Sequence, residues 1–179
     1  MKRFTYLLPV FVSLIALFSC KKIDKLTQFN LKYDTDVTIK STVVVNVPID
    51  LFTPEITTNS ETELSANNSH KNLVEQIKLK ELTLKIESPE GQDFDFLNSI
   101  ELYIKTDDLP EKKIAWKTDI PENGLTTLVL DTSDDDLKDY ILEDSFQLRT
   151  KTKTDHLITQ DTKIGIHAVF WVDAKILGV

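Results

Sequence analysis

The chain has 179 residues, one cysteine, four glycines and a formal net charge of −8 at neutral pH. This acidic balance disfavours nucleic acid and anionic lipid headgroups as partners, because both are bound through clustered Lys and Arg. Neither a Gly-x-Gly-x-x-Gly fingerprint nor a P-loop occurs in the sequence, and no nucleotide cofactor held in such a loop is expected.

The first nineteen residues differ in composition from the rest of the chain. Two basic residues precede an uncharged, mostly apolar run from Phe4 to Ser19. A basic start followed by a short apolar stretch is typical of a secretory signal peptide. A membrane-spanning helix needs about 20 apolar residues, and this run is shorter and contains Pro9. We therefore expect residues 1–19 to be a signal peptide.

The end of this run, Leu17-Phe18-Ser19-Cys20, resembles the lipobox of bacterial lipoproteins. That motif has Leu three places before the cysteine and a small residue directly before it, and the bulky Phe18 is similar to a variation found in lipoproteins of the Bacteroidota. Cys20 is the only cysteine of the chain, so it has no partner for an internal disulfide. The resemblance implies cleavage before Cys20 and lipidation of its sulfur, with the membrane as a partner through this anchor.

Residues 20–28 are predicted to form a short polar tether. Surface-exported lipoproteins of the Bacteroidota carry an acid-rich patch just after the cysteine, whereas here Asp24 stands among three lysines. The resemblance therefore implies a cell-envelope protein anchored to the outer membrane. A position on the periplasmic face of that membrane is favoured over one on the cell surface.

Residues 29–179 are predicted to form one domain of short β-strands. Apolar and polar residues alternate in several runs, such as Phe29 to Ile39, Ile100 to Ile104 and Ile164 to Val172. Alternation of this kind is typical of antiparallel sheets with one buried and one solvated face. With turn signals between the runs, the pattern predicts an all-β antiparallel β-sandwich, immunoglobulin-like in general form, with one or two short helices.

Some segments carry more specific expectations. Leu137, Tyr140 and Ile141 share one helical face, and Ser69 to Gln76 is a second candidate helix. The valines from Val43 to Val47 are expected to form a strand that ends at Pro48. The polar segment Thr53–Asn72 has only Ile56 and Leu64 as apolar anchors, and it is either an edge strand, a binding loop or a mobile loop.

The acidic cluster at Asp131, Ser133 and Asp135 has the alternate oxygen ligands of a calcium loop. The glycine that such a loop needs is replaced by Asp136, however, and Leu142 stands where the closing Glu should be. Acids at the start of a helix also stabilise it through the macrodipole. We therefore expect these acids to serve the helix, and we predict no metal site and no cofactor.

No catalytic constellation is apparent. His70, His156 and His167 lack partners at metal-ligand spacing, and a Gly-x-Ser-x-Gly elbow is absent. Among the aromatic candidates for recognition, Trp116 lies two residues after Ile114 and is therefore expected on the same, core-facing side of its strand. Tyr103 and Trp171 lie on the opposite side of their strands from the main apolar residues. Phe94 is a further candidate. The chain is not expected to be an enzyme.

As a whole the chain resembles small β-sandwich lipoproteins of the Bacteroidota, notably around Leu97–Ile104. This resemblance implies location and fold but no activity. The leading hypothesis is a non-catalytic interaction or structural module that binds an envelope protein through an edge strand or through Thr53–Asn72. The alternatives are a binder of a small ligand, lipid or glycan, and a hydrolase with a dispersed site.

Overall fold

A computed structural model describes residues 28–175 of the chain, and these residues contain ten strands and two short helices. The strands are β1 (Gln28–Ile39), β2 (Pro48–Phe52), β3 (Ile56–Thr57), β4 (Val74–Ser88), β5 (Leu97–Lys105), β6 (Lys112–Lys117), β7 (Thr127–Val129), β8 (Asp131–Thr132), β9 (Ser145–Thr154) and β10 (Thr162–Ala174). The helices are α1 (Ser60–Ala66) and α2 (Lys138–Ile141), and a 3-10 turn spans Lys71–Leu73.

The strands form two sheets, and every pair of neighbouring strands is antiparallel. One sheet has the order β1-β10-β4-β7, and the other has the order β2-β9-β5-β6-β8 with β3 also paired to β9. The prediction of an all-β sandwich with one or two short helices is therefore confirmed. Within residues 28–175, no helix combines the length and the apolar character that crossing a membrane requires.

The order of the strands differs from that of an immunoglobulin sandwich. In an immunoglobulin domain the first strand pairs with the second strand of the chain, in the sheet order A-B-E-D. Here the first strand, β1, pairs with the last strand, β10, which lies between β1 and β4. If β3 and β8 are set aside, the eight remaining strands are ordered as in a jelly roll, which consists of two Greek keys. Alternation reports which face of a strand is buried but not which strand lies beside it.

The core lies between the two inner faces of the sheets. The predicted inward residues of β1, Leu31, Tyr33, Val37 and Ile39, are all buried. The ring of Tyr33 packs edge to face against the ring of Phe146, which belongs to the opposite sheet, with the centroids 5.3 Å apart. The centroid of the Phe170 ring lies 5.8 Å from that of Tyr33 and 6.2 Å from that of Phe146. These three rings join the two sheets at the end of the sandwich near β3.

Two of the predicted local elements are wrong. The valine run from Val43 to Val47 is a loop, in which Val44 is 66% exposed, and the strand begins at Pro48 instead of ending there. Proline is accepted as the first residue of an edge strand because no ladder donor is needed at that position. The second candidate helix is only the 3-10 turn Lys71–Leu73, because Val74 already begins the long strand β4. Tertiary pairing thus overrides a short helical pattern.

The prediction that Trp116 is buried with Ile114 is also wrong. The pairing of β5 with β6 shifts register between Leu102 and Tyr103, so Ala115 opposes Leu102 on the core side. Trp116 then opposes Glu101 on the outer face and is half-buried. The irregularity changes the parity of β6, which a simple alternation cannot reveal.

The polar segment Thr53–Asn72 is ordered by a few inward contacts. Ile56 in β3 pairs with Phe146, and Leu64 of α1 is completely buried. The backbone N–H of Thr53 donates to Leu148 O at 2.9 Å, while its hydroxyl accepts from Leu148 N at 3.0 Å. The two apolar anchors predicted from the sequence are confirmed, and the segment combines a short edge strand with a helix.

Candidate functional site

The predicted site residue Cys20 and the predicted signal peptide 1–19 lie outside the described residues, as does the tether 20–28 except for Gln28. The remaining candidates all lie in the sandwich. Phe94 is fully buried and stacks on Phe96, with ring centroids 6.5 Å apart, so it belongs to the core. Tyr103 and Trp171 are half-buried on the outer faces of the two sheets.

The acidic cluster whose spacing resembles a calcium loop does not converge on one point. Asp131 lies in β8, where its carboxylate is 3.5 Å from Lys117 Nζ, and Asp135 lies 3.6 Å from Lys112 Nζ. Asp136 Oδ1 accepts hydrogen bonds from the backbone N–H of Ile77 at 3.0 Å and of Lys138 at 3.1 Å. Only Asp136 therefore serves the start of α2, as expected of the cluster, and it also ties that start to β4, whereas Asp131 and Asp135 pair with lysines of β6.

One histidine does gain carboxylate neighbours that its sequence position did not indicate. Glu122, Asp155 and His156 each place a ligand-type atom within 4.8 Å of the others. His156 Nδ1 lies 3.1 Å from Asp155 Oδ1, and this hydrogen bond, together with the charge of Glu122, raises the pKa of the imidazole. Glu122 comes from a different loop, so no spacing rule could have found it. Glu122 and His156 are exposed.

The outer face of the six-stranded sheet is organised around Arg149. Its guanidinium lies 4.2 Å from the centroid of the Tyr103 ring and donates to both carboxylate oxygens of Glu111, at 2.5 and 2.6 Å. A further N–H donates to Asp50. These hydrogen bonds, first to Glu111 and then to Asp50, raise the pKa of Arg149. The face is therefore a set of mutually paired charges and rings rather than an open aromatic platform.

The free edge of the four-stranded sheet offers a different kind of surface. β1 is the outermost strand, and its twelve residues pair with β10 without a register shift. It contains no proline. Natural proteins usually protect edge strands with proline, bulges or short length, because an open edge can pair with another chain. β1 has none of these three protections, and what it does carry is a fourth, charged side chains, at Lys32, Asp34 and Asp36.

The pairing of the inner strands determines which backbone groups of β1 point outward. The N–H of Leu130 donates to Leu82 O, and the N–H of Ile86 donates to Thr126 O, each at 3.0 Å. The even-numbered residues of β4 in this stretch therefore bond toward β7. Because alternate residues of a central strand bond to opposite neighbours, the odd-numbered residues bond toward β10.

The same alternation continues across β10. Thr83 of β4 opposes His167, so the odd-numbered residues of β10 bond to β4 and the even-numbered ones bond to β1. Ile166 opposes Thr35, so the odd-numbered residues of β1 make the backbone hydrogen bonds to β10. The backbone groups that point away from the sheet belong to the even-numbered residues Asn30, Lys32, Asp34, Asp36 and Thr38.

An open groove of about 540 Å³ lies along this edge. Residues 32–36 of β1 form one wall, and residues 54–57 together with Asn59 form the other. The groove therefore separates β1 from β3, which is the edge of the opposite sheet on this side. The structure brings together the two elements that the sequence offered separately as interaction sites, an edge strand and part of the Thr53–Asn72 segment.

Tyr33 lies in the lining of this groove with a polar atom that has no partner. The side chain is 6% exposed, and its hydroxyl makes no hydrogen bond within residues 28–175. Burial raises the pKa of Tyr33 to about 12, and the negative charge of Glu63 adds to this effect. The neutral phenol is therefore held in a site that would destabilise its ionised form.

We expect Tyr33→Phe to stabilise the protein by about 1 kcal/mol at neutral pH, because a buried hydroxyl without a partner is removed. The pKa of a tyrosine in the unfolded chain is about 10. Wild-type stability should therefore fall as the pH rises from 10 towards 12, since the unfolded chain loses the phenolic proton first. Tyr33→Phe should reduce this loss. Urea unfolding followed by tryptophan fluorescence measures both effects.

Tyr140→Phe is the matched control for this substitution. The hydroxyl of Tyr140, a buried residue, donates to Pro110 O at 2.6 Å, so its removal should cost about 1 kcal/mol. If Tyr33→Phe is destabilised as much as Tyr140→Phe, the Tyr33 hydroxyl has a partner in solution.

A smaller groove of about 330 Å³ lies on the outer face of the four-stranded sheet. Gly165 lies in its lining, in the middle of the central strand β10, where a Cβ would come within 2.6 Å of Glu87 Oε1. A glycine inside a strand often marks a close approach of other atoms. Beside it, His167 Nδ1 lies 2.6 Å from Asp34 Oδ1.

Comparison with known proteins identifies no family for the chain. No protein-family model and no curated protein matches it. One solved structure to which the chain is similar is that of Desmodium yellow mottle tymovirus, with 9% sequence identity and a TM-score of 0.29. The alignment covers 85% of this chain and 91% of that one. A TM-score this low does not establish a shared fold, and the sandwich is defined by its own strand order alone.

Proposed function

We propose that the protein is a lipoprotein of the cell envelope that binds another polypeptide without catalysing a reaction. The lipid on Cys20 would hold it at the outer membrane, on the periplasmic face, and the sandwich would present β1 to its partner. Strand addition at a sheet edge gives affinity through main-chain hydrogen bonds and specificity through alternate side chains. The observation that carries this proposal is the proline-free outer edge of β1, which no other strand of residues 28–175 pairs with, beside the groove to β3.

A photo-crosslinking amino acid on β1 tests this proposal in intact cells. Thr38 has an outward backbone position on β1, so benzoylphenylalanine placed there should capture any chain that adds to the edge. The same probe at Lys151, on the exposed outer face of the other sheet, is the positional control. We expect polypeptide adducts from position 38 and none from position 151.

A proline on the edge makes the test specific for strand addition. Asn30→Pro removes one outward N–H but leaves the ladder to β10 intact, because only the odd-numbered residues form that ladder. Asn30→Thr keeps the N–H and is the matched control. Adducts from position 38 should disappear with Asn30→Pro and persist with Asn30→Thr. Strand addition would be contradicted if the proline does not change the amount of adduct, or if positions 38 and 151 give equal amounts.

A binder of a small ligand is the second candidate, and the groove at Gly165 is the observation that favours it. Gly165→Ala would place a methyl group against Glu87 in that groove without touching the outward backbone of β1. Ligand binding in this groove would thus be lost with Gly165→Ala and kept with Asn30→Pro. Strand addition would instead be kept with Gly165→Ala and lost with Asn30→Pro.

A further inference from the structure

We propose that the chain which adds to β1 is a second copy of this protein, paired antiparallel about a two-fold axis beside Tyr33. This inference rests on the proposed function, because it names the partner of the same edge. In a symmetric pair, each copy supplies the same strand, and the two outward sets of backbone groups meet each other. The charge pattern of β1 indicates which register such a pair would take.

Only registers that oppose even-numbered residues can form hydrogen-bonded pairs, because those residues carry the outward backbone groups. In the register centred on Tyr33, Lys32 of one copy opposes Asp34 of the other, and symmetry repeats this pair. Asn30 opposes Asp36, and Gln28 opposes Thr38. Opposite charges that face each other across an antiparallel pair are stabilising. The register therefore contains two ion pairs and no pair of like charges.

The neighbouring registers are less favourable for a simple electrostatic reason. A shift of two residues in one direction places Lys32 opposite Lys32. The same shift in the other direction places Lys32 opposite Asp36 in two symmetric pairs, but it also places Asp34 opposite Asp34, a like-charge pair that the register centred on Tyr33 does not contain. Like charges directly opposite each other destabilise a strand pair, so both shifts are disfavoured. The register centred on Tyr33 is also the one that pairs nearly the whole described strand, since it spans Gln28 to Thr38.

The charges of the edge agree with this arrangement. Lys32 is exposed and makes no salt bridge within the described residues, whereas Asp34 lies beside His167 and Asp36 lies 3.4 Å from Lys163 Nζ. A second copy would supply the missing acidic partner of Lys32. Pairing would also join two four-stranded sheets into one of eight strands, and it would occupy both open β1 edges, so that the assembly is closed at this surface.

Reversal of single charges tests the register with the full-length lipidated protein. Lys32→Asp creates two Asp–Asp pairs in the dimer, and Asp34→Lys creates two Lys–Lys pairs. Each variant alone should dimerise at least about tenfold more weakly than the wild type, measured by sedimentation in mild detergent. Mixed together, the two variants become complementary and should form a heterodimer, and the double variant Lys32→Asp/Asp34→Lys should regain the wild-type constant.

Lys80→Asp makes the same charge change on an exposed residue of β4, two strands away from the edge, and should leave the dimer unchanged. A wild-type protein that sediments as a monomer would overturn the inference, as would a double variant that stays as weak as the single ones. Neither result would remove the proposed function if the probe at position 38 still captures a different polypeptide. An absence of adducts from position 38 would remove both.

Discussion

Phe170→Ala should lower the free energy of unfolding by about 3–5 kcal/mol, the range observed when a buried phenylalanine is truncated. Phe170 is completely buried in the central strand β10, and its ring contacts both Tyr33 and Phe146 edge to face. Truncation would remove the ring and leave a cavity where the two sheets meet. Because domains are stable by only about 5–15 kcal/mol, this one change would remove a large part of the total.

Urea unfolding, followed by tryptophan fluorescence and near-ultraviolet circular dichroism, measures this loss. Phe52→Ala is the matched control, because Phe52 is 53% exposed and Lys105 Nζ lies 5.4 Å from the centroid of its ring. Its truncation should cost less than about 1 kcal/mol. Equal losses for the two variants would mean that the three-ring cluster does not join the sheets in solution.

The fold class could be predicted because burial of one sheet face leaves a direct record in the sequence. Leu31, Tyr33, Val37 and Ile39 follow the alternation of β1, and all four are buried as expected. The pattern fails where a local irregularity changes the parity. The register shift in the pairing of β5 with β6 turns Trp116 outward, and nothing in the residues around it indicates that shift.

The strand order could not be predicted, because it depends on contacts between distant parts of the chain. β1 pairs with β10, and Gln28 opposes Asp173 near the other end of the sequence. The open edge follows from this order and so is invisible in the sequence, although the residues do indicate an edge strand and the Thr53–Asn72 segment as interaction sites. The approach of Glu122 to His156 depends on the order in the same way.

The predictions for the anchor and for the edge support one another physically. Lipidation confines a protein to a surface, which raises its effective concentration towards any partner held on the same surface. A strand edge that is too weak to hold a partner in dilute solution can therefore act between two anchored chains. If Cys20 is lipidated, the same concentrating effect would act on a second copy and on another envelope protein, and Cys20 is the residue with the largest expected effect on location.

Cys20→Ser should transfer the protein from the membrane fraction to the soluble fraction or leave the signal peptide attached, because the sulfur that would carry the lipid is gone. Each buried methylene of an acyl chain contributes about 0.8 kcal/mol, and two or more chains bind almost permanently where one binds only weakly. The wild type should incorporate a fatty-acid analogue, and Cys20→Ser should not. Fractionation and mass spectrometry of the mature amino terminus measure these outcomes.

Ser19→Ala is the control, since it keeps a small residue before the cysteine and should preserve both cleavage and labelling. A fatty-acid label that persists in Cys20→Ser would place the lipid elsewhere on the chain. A wild type with an unmodified sulfur would remove the anchor altogether. In that case the edge of β1 would have to bind its partner without the concentrating effect of a shared membrane, and the dimer measured in detergent would need a correspondingly tighter constant to matter in the cell.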